Sequence, residues 1–481
     1  MARDEESGLV VASNRGPVSW REVDGELEPT RGAGGLIVAL GGALQTEEGT
    51  WVSVAMDEAE TKVAEQHPQE PFDVDTGEGT FRVRLLDVGE RFDAYYNRIA
   101  NRLLWFTVHE LWGAPYEPRG AGWRGDWYYG YESVNERVAR AVVEQAEGGR
   151  EIYLQDYHLC AAARTVRQHA PDARILHYIH TPWVGPGHWR TQPTPIAEGI
   201  MRGLLAADVV AFSSPLWSLA FRRCAEELLG ATVSGESVLL DDRRTVVADF
   251  TLGVDEEQLQ AVAASDEAAE AAEWIEDRLA GRRLLVRADR TDLSKNILRG
   301  LEAYELLLER HPEHRGQIWH LVLLQPSRQD VPEYRDYYQA CMDVVTRIQE
   351  SYGEDVVTVL DDGDYPRVVA ALSRSDVLLT NPVLDGTNLV AKEGPVLNRH
   401  DGVLVLSRNA GAVTVLGEAA LVVNPYDVEE QADALDQALT MSRDERATRA
   451  EALREAARLG AHEEWFSAQR HLLRATVARR R

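Results

Sequence analysis

Short apolar runs bounded by turn residues alternate along the chain with longer stretches whose apolar positions recur at helical spacing. Residues 9–12, 51–55, 81–88, 151–154 and 175–179 read as buried strands, because each is apolar on consecutive positions and too short for a helix. Residues 95–112, 134–146, 160–169, 196–205 and 218–229 carry the helical period, and 238–249 is β-rich. Residues 256–280 are acidic, Ala-rich and helically spaced, which predicts a hinge region and a solvated outer helix. Beyond it the same alternation resumes. Strands at 284–286, 318–324, 356–360, 377–379, 403–406 and 421–423 enclose helices at 297–310, 331–352, 368–372 and from 428 onward. This order predicts an α/β protein with parallel sheets covered on both faces, divided into lobes at 1–253 and 254–461 with a terminal segment at 462–481.

In such sheets ligands bind beyond the carboxyl ends of the strands, so the loops there hold the candidate chemistry. Asp156 and His180 follow successive strands of the first lobe. A single buried His more often completes a core, but two polar residues at neighbouring strand ends favour a site. Gly34 and Gly35 open an apolar helix and let a backbone approach a ligand, although a tight packing turn explains them about as well. The loop 113–130 is rich in Gly, Trp and Tyr, a composition suited either to a sugar-facing wall or to a core edge. The second lobe offers three loops: Arg290 with Lys295, then Arg328, then Asp385 to Glu393. Arg gives a bidentate fork and Lys a mobile point charge, a pairing suited to a diphosphate that gains charge as a bond to it breaks. Asp385 can accept from vicinal hydroxyls, and Gly386 to Leu389 can present backbone N–H groups. Surface ion pairing explains any one of these loops more easily than all three.

Composition narrows the partners. The net charge of -28, from 51 basic and 79 acidic residues, repels nucleic acid and anionic membranes, so an anionic substrate requires locally focused arginines. Only three of the basic residues are lysines, and two of these, Lys295 and Lys392, fall in the candidate loops, where a compact ammonium is the expected need. Three widely spaced cysteines, without CxxC spacing or a neighbouring His cluster, predict a reduced intracellular setting and no structural zinc. The acidic N-terminus lacks a signal-type apolar core, and no run approaches a membrane span, which predicts a cytoplasmic protein. No P-loop, HExxH, EF-hand or Ser/Cys nucleophile motif is present, nor a DxD pair placed for a catalytic cation. Metal-independent chemistry without a cofactor is expected.

Taken together, Ser13-Asn14-Arg15, Gly34-Gly35-Leu36, Asp156-Tyr157-His158, His180-Thr181-Pro182, Arg290 to Lys295, Asp385 to Glu393 and Val423-Asn424-Pro425-Tyr426 resemble, in order and spacing, the trehalose-6-phosphate synthases. The resemblance covers roughly residues 9–465. It implies a GT-B fold, two Rossmann-like doubly wound lobes with a cleft between them, and the terminal helix packing back on the first lobe. It also implies retaining transfer of glucose from a nucleoside-diphosphate glucose to glucose 6-phosphate, without metal. Carried over, Arg290 and Lys295 hold and stabilise the donor diphosphate, with Gly34 and Gly35 supplying N–H groups. Asp385, Gly386, Asn388 and Leu389 bind donor sugar hydroxyls and phosphate, and Glu393 holds the ribose. His180 contacts the donor glucose and Asp156 orients sugar hydroxyls. Arg15 and Arg328 grip the acceptor phosphate, and Trp51 and Trp127 wall its pocket. The departing phosphate itself takes the acceptor proton, in keeping with the lack of a glycosidase-like carboxylate pair. Homo-oligomers occur in the family, so assembly of identical copies is left open.

The chain also departs from the pattern. Trp105 to Glu110 stands where the family commonly has a phosphate-binding Tyr, which leaves the acceptor open between glucose 6-phosphate and another phosphorylated molecule, such as glycerol 3-phosphate or an aminocyclitol phosphate. Thr291, Leu293 and Asn296 replace the usual Leu, Tyr and Gly. That variant also resembles the pseudoglycosyltransferase branch, which joins cyclitols from a GDP-linked donor, so the donor base is open with a slight lean to GDP over UDP. A silent sugar-nucleotide sensor is the alternative of another class; the intact set Arg290, Lys295, Asp385 and Glu393 argues against it.

Overall fold

The computed structural model describes residues 8–32, 37, 40–41, 44, 49–77, 79–113, 118–119, 121–146, 149–328 and 331–479. The chain forms two compact units, one of residues 1–250 with 462–481 and the other of residues 251–461.

The strands of the first unit are β1 (Leu9–Ala12), β2 (Val18–Val23), β3 (Glu26–Arg31), β4 (Thr50–Val54), β5 (Phe72–Asp75), β6 (Thr80–Leu86), β7 (Glu151–Gln155), β8 (Arg174–Ile179), β9 (Val209–Phe212), β10 (Thr232–Ser234), β11 (Ser237–Leu240) and β12 (Arg243–Asp249). Ten of them form one sheet in the order β10-β11-β12-β9-β8-β7-β1-β4-β6-β5. Its centre, β12 through β6, is parallel, and antiparallel strands close both edges. The central runs are apolar on both faces because helices cover both, and β1, β4 and β7 are buried at every position. Counting the parallel strands along the chain, the order reverses between β1 and β7, so the loops after these strands flank the switch point of a doubly wound sheet.

The hairpin β2–β3 does not show in the apolar pattern, because its outer positions are polar. Its signal is Asp24-Gly25, both with positive φ (52° and 85°), the backbone that a tight two-residue hairpin turn demands. Residues 93–104, expected within one ordinary helix, form a π-helical segment followed by the helix Trp105–Val108.

The terminal helix His462–Ala478 belongs to the first unit and packs along β8 and β9. Trp465 meets the Tyr178 ring edge-on at 4.9 Å. At the opposite turn of the helix, Arg470 Nε and Arg474 Nε donate to the two oxygens of Glu151 at 2.8 and 2.6 Å. Glu151 is fully buried at the start of β7, so these guanidiniums supply the countercharge without which its burial would be costly.

The second unit holds β13 (Arg283–Arg290), β14 (Ile318–Gln325), β15 (Val357–Leu360), β16 (Val377–Thr380), β17 (Val403–Ser407) and β18 (Leu421–Val423). They form one parallel sheet in the order β15-β14-β13-β16-β17-β18, the Rossmann order 3-2-1-4-5-6 with its switch point between β13 and β16. Helix Ile297–Arg310 buries Ile297, Leu301, Tyr304, Leu307 and Leu308, one stripe at helical spacing, against this sheet. Residues 256–280, expected as hinge and solvated outer helix, are instead two capped helices of this unit. Asp255 and Ser265 accept from Gln258 and Ala268 N–H at 2.9 and 3.2 Å, and Leu259, Ala271, Ile275 and Leu279 enter the core. The acidic Ala-rich composition concealed a buried face of Leu259, Ile275 and Leu279 with Ala268 and Ala271 between them. The bordering segments of the unit run side by side, Gly253 N–H donating to Gly460 carbonyl at 2.6 Å, and a Cβ on Gly253 would fall 2.5 Å from that oxygen.

Among the described residues no helix is long and apolar enough to cross a membrane. Cys160, Cys224 and Cys341 are free and buried.

Candidate functional site

The polar loops gather at the switch point of each sheet. In the second unit, β13 ends at Arg290, and the chain turns through Thr291 and Asp292 into a short 3-10 turn, Leu293–Lys295. Buried Asp292 shapes this turn by accepting from Ser294 N–H at 2.9 Å. Lys295 is thereby aimed across the switch point at the loop after β16, where its ammonium pairs with the Asp385 carboxylate. Asn388 Nδ2 donates to the same Asp385 oxygen at 3.2 Å, while Asn388 Oδ1 caps the helix Val390–Leu397 by accepting from Ala391 N–H at 3.0 Å. Asn388 holds a left-handed φ of 70°, and Asp385 is itself pinned by its N–H to Asn409 carbonyl at 3.1 Å. Gly386 lies between these anchors and Leu389 directly after them, its carbonyl receiving Lys392 and Glu393 N–H. Arg290, at the start of the Lys295 loop, is exposed.

Glu393 follows on the helix Val390–Leu397. Burial lifts it from an ordinary 4.5 to about 7. Arg328, after β14, has a left-handed φ of 47°; its Nη1 lies 2.6 Å from the Tyr334 hydroxyl and 3.3 Å from Asp292 Oδ2. The Tyr334 hydroxyl donates to the same Asp292 oxygen at 3.0 Å, so the Arg328 and Lys295 loops share one buried carboxylate.

Sequence reasoning missed the support beneath this cluster. Arg287, fully buried in β13, pairs with Asp289 at 3.0 Å and donates from Nη2 to the Lys295 carbonyl at 2.5 Å. Space for it comes from Gly300, where a Cβ would collide with the guanidinium. Nothing in a strand pattern distinguishes such an arginine except its charge amid an otherwise apolar run. Asn296, which departs from the family's usual Gly, takes a left-handed φ of 59° and is almost fully buried. Asn tolerates that conformation better than other non-glycine residues. Its Nδ2 donates to Asn381 and Pro425 carbonyls at 2.9 and 2.6 Å, and its Oδ1 accepts from Arg299 at 2.9 Å, so it ties three loop regions together.

Lys392 corrects the inference from lysine usage. It is fully buried, and its Nζ donates to the carbonyls of Leu252 and Leu459 at 2.8 and 3.0 Å, fastening the bordering segments of the unit and facing no substrate loop. Burial brings it down to about 8.

In the first unit, the loop after β1 is held by Ser13 and Asn14. Ser13 Oγ accepts from Trp51 Nε1 at 2.7 Å and donates to the Arg15 carbonyl at 2.5 Å, and Asn14 Oδ1 accepts from the Tyr95 hydroxyl at 2.8 Å. Arg15 is left exposed, with Nη2 3.4 Å from the Tyr96 hydroxyl. Trp51 and Trp127 are each 1% exposed. Trp51 reaches the loop through its indole N–H, and Trp127 stacks on Tyr131 at 4.8 Å inside the unit. Gly34 and Gly35 lie outside the described residues. Glu110 is exposed and adopts a φ of 54°, at the end of the helix Trp105–Val108.

Asp156, directly after β7, has φ 67° and ψ 173°. That combination is almost confined to glycine and costs of order 1–3 kcal/mol, a strain that persists only where the surroundings impose it. Here they do. Asp156 N–H donates to Tyr178 carbonyl at 2.7 Å, and His177 Nε2 lies 3.0 Å from Asp156 carbonyl. Burial holds His177 down to about 4, so its ring is neutral and Nε2 is the donor. The Asp156 carboxylate in turn accepts from His180 N–H at 3.3 Å. His180 is pushed down to about 3, chiefly by burial and secondarily by His177, and its Nε2 sits 3.0 Å from Gln155 Oε1. A neutral His180 is a hydrogen-bonding group for neutral hydroxyls, not an acid near neutral pH.

The arrangement is thus a basic pair at one switch point, buttressed by buried ionic groups, and a strained carboxylate with a neutral imidazole at the other. The sequence matches the model of glycosyltransferase family 20 over residues 7–474. It is 32% identical over 94% of its length to the bifunctional trehalose-6-phosphate synthase/phosphatase of Thermoproteus tenax, of whose length it spans 61%. It is 29% identical to the validamine 7-phosphate valienyltransferase of Streptomyces hygroscopicus subsp. jinggangensis, covering 98% of this chain and 96% of that one. Among solved structures, the E. coli trehalose-6-phosphate structure bound with UDP-2-fluoro glucose superposes with a TM-score of 0.84 at 29% identity, covering 98% of this chain and 99% of that one.

Proposed function

The chain belongs to glycosyltransferase family 20, with Rossmann-like units of the GT-B class, and on that footing we propose that it moves glucose, with retention, from a nucleoside-diphosphate glucose to glucose 6-phosphate, giving trehalose 6-phosphate. The observation that carries this reading is the switch-point cluster of the second unit: Lys295 held against Asp385, which also accepts from Asn388, with Arg290 on the Lys295 loop. A cation held in place in this way is stronger toward a diphosphate leaving group, whose charge grows in the transition state, than toward the intact donor. Asp385, Gly386, Asn388 and Leu389 serve the donor sugar and phosphates, Glu393 the ribose, and Gly34 and Gly35 the diphosphate. His180 and Asp156 address sugar hydroxyls, the neutral imidazole suiting that task. Arg15 and Arg328 are each assigned to the acceptor phosphate, and Trp51 and Trp127 support the acceptor side.

A second reading has its own observation. Identity to the valienyltransferase extends over nearly both full chains, and Thr291, Leu293 and Asn296 depart from the usual synthase loop. On it, the same machinery serves an aminocyclitol phosphate or glycerol 3-phosphate. UDP-glucose and GDP-glucose, each paired with glucose 6-phosphate, glycerol 3-phosphate or an aminocyclitol phosphate, separate the readings by nucleoside diphosphate release and product mass. Release with glucose 6-phosphate supports the first, release only with another acceptor supports the second, and no release with any pair refutes both.

A further inference from the structure

Far from the candidate loops, the second unit carries a cluster of metal-ligating groups that the glycosyl-transfer reading does not use. Helix Ile297–Arg310 ends at His311, and a 3-10 turn, Pro312–His314, follows. In a turn of this kind side chains three apart eclipse one another, so His311 and His314 project to the same side. The turn is closed by His314 N–H to His311 carbonyl at 3.0 Å, and the ring centroids are 5.9 Å apart. Opposite them, helix Val428–Thr440 presents Asp436. Asp436 Oδ1 lies 2.7 Å from His314 Nε2 and 3.6 Å from His311 Nδ1. Glu313 Oε1, 3.3 Å from His311 Nδ1, offers a further oxygen from the solvent side.

We propose that His311, His314 and Asp436 bind a zinc-class divalent cation that clips the helix Ile297–Arg310 to the helix Val428–Thr440. One donor atom from each residue lies within 4.8 Å of the others, and all three residues are partly exposed, so an ion can enter. With metal–ligand distances of about 2.0–2.1 Å, tetrahedral ligands sit about 3.3–3.4 Å apart, close to the 2.7 and 3.6 Å that separate Asp436 Oδ1 from the two imidazole nitrogens. Two imidazoles and one carboxylate match the donor preference of Zn²⁺ and leave one position for Glu313 or water. The ion replaces the hydrogen that His314 Nε2 donates to Asp436, and that hydrogen moves to Nδ1. The expectation of no structural zinc rested on the cysteines; this donor set contains none. Because helix Ile297–Arg310 begins immediately after Asn296, the clip would brace the far end of the element that starts at the Lys295 turn.

The test uses the whole protein, stripped with chelator and titrated with Zn²⁺ alone, then with Co²⁺ alone as a spectroscopic probe. One equivalent of Zn²⁺ is expected to bind and raise Tm, Co²⁺ to give visible ligand-field bands, and His311→Asn with His314→Asn to weaken Zn²⁺ by at least about tenfold. Asp436→Asn, which preserves shape, should weaken it similarly while the far-UV circular dichroism is unchanged. Absence of Zn²⁺ binding by the wild type, or binding undiminished in the correctly folded variants, overturns the proposal.

Discussion

The Lys295 ammonium is paired with the Asp385 carboxylate, an oxygen of which also accepts from Asn388 Nδ2. The pairing links the loops after β13 and β16, the strands that flank the switch point. It fixes the position of a cation before any ligand arrives, which is how an electrostatic stabiliser avoids reorganisation during reaction.

Lys295→Ala is expected to lower kcat by roughly 10²–10³-fold with a much smaller change in donor KM, because leaving-group charge exists mainly in the transition state. Steady-state kinetics check this; near wild-type turnover refutes the role. Lys392→Met, in contrast, should leave kcat within a few fold but lower stability by about 1–3 kcal/mol, the cost of two carbonyls losing a buried donor. A kcat loss as large as that of Lys295→Ala, in a folded protein, would return Lys392 to the chemistry.

Arg287→Met strands Asp289 as a buried carboxylate and frees the Lys295 carbonyl, so a loss of about 3–5 kcal/mol is expected in chemical denaturation. Replacing both partners, Arg287→Met with Asp289→Leu, should recover part of it. Equal losses in the single and double variants would contradict a paired role.

Glu393 gives a pH dependence with a definite sign. Its carboxyl is raised in the folded protein from 4.5 to about 7. Ionisation therefore opposes folding: the penalty is absent below the unfolded value of 4.5 and grows until pH passes about 7. Glu393→Gln should be more stable than wild type above pH 7 and indistinguishable from it near pH 4.5. It should also raise donor KM, since a carboxylate accepts two ribose hydroxyls better than an amide. Parallel pH–stability curves for the two proteins would contradict the assignment.

Arg328→Ala should raise acceptor KM by about 10–100-fold, the worth of a charge-assisted hydrogen bond, with little change in kcat. An unchanged acceptor KM removes Arg328 from the acceptor phosphate and leaves it as the partner of Asp292 and Tyr334.

Most parallel strands of both units are legible as short apolar runs, because strands buried on both faces stand out as continuous apolarity; β9, short and directly after a helical stretch, is not separated from it by the pattern. The Lys295 loop and the Asp385 loop stood out for the same reason, being charged segments at strand ends. What the pattern hid is what depends on three-dimensional pairing. Arg287 looks misplaced in a strand until Asp289 and the Lys295 carbonyl are seen beside it, and Asn296 looks like a lost glycine until its left-handed φ and three hydrogen-bond partners are known. Lys392 misled in the opposite direction: its sequence neighbours are candidate ligands, but its own ammonium is buried against the Leu252 and Leu459 carbonyls. The strain at Asp156 has no sequence signature at all.

The most direct test of the glucosyl-transfer reading is to incubate the protein with UDP-glucose or GDP-glucose and glucose 6-phosphate, and to determine the product and its anomeric configuration by NMR. The account predicts trehalose 6-phosphate with both anomeric centres α, formed together with one equivalent of nucleoside diphosphate and lost in Lys295→Ala. A product with an inverted anomeric centre, or no nucleoside diphosphate release from either donor, would contradict it.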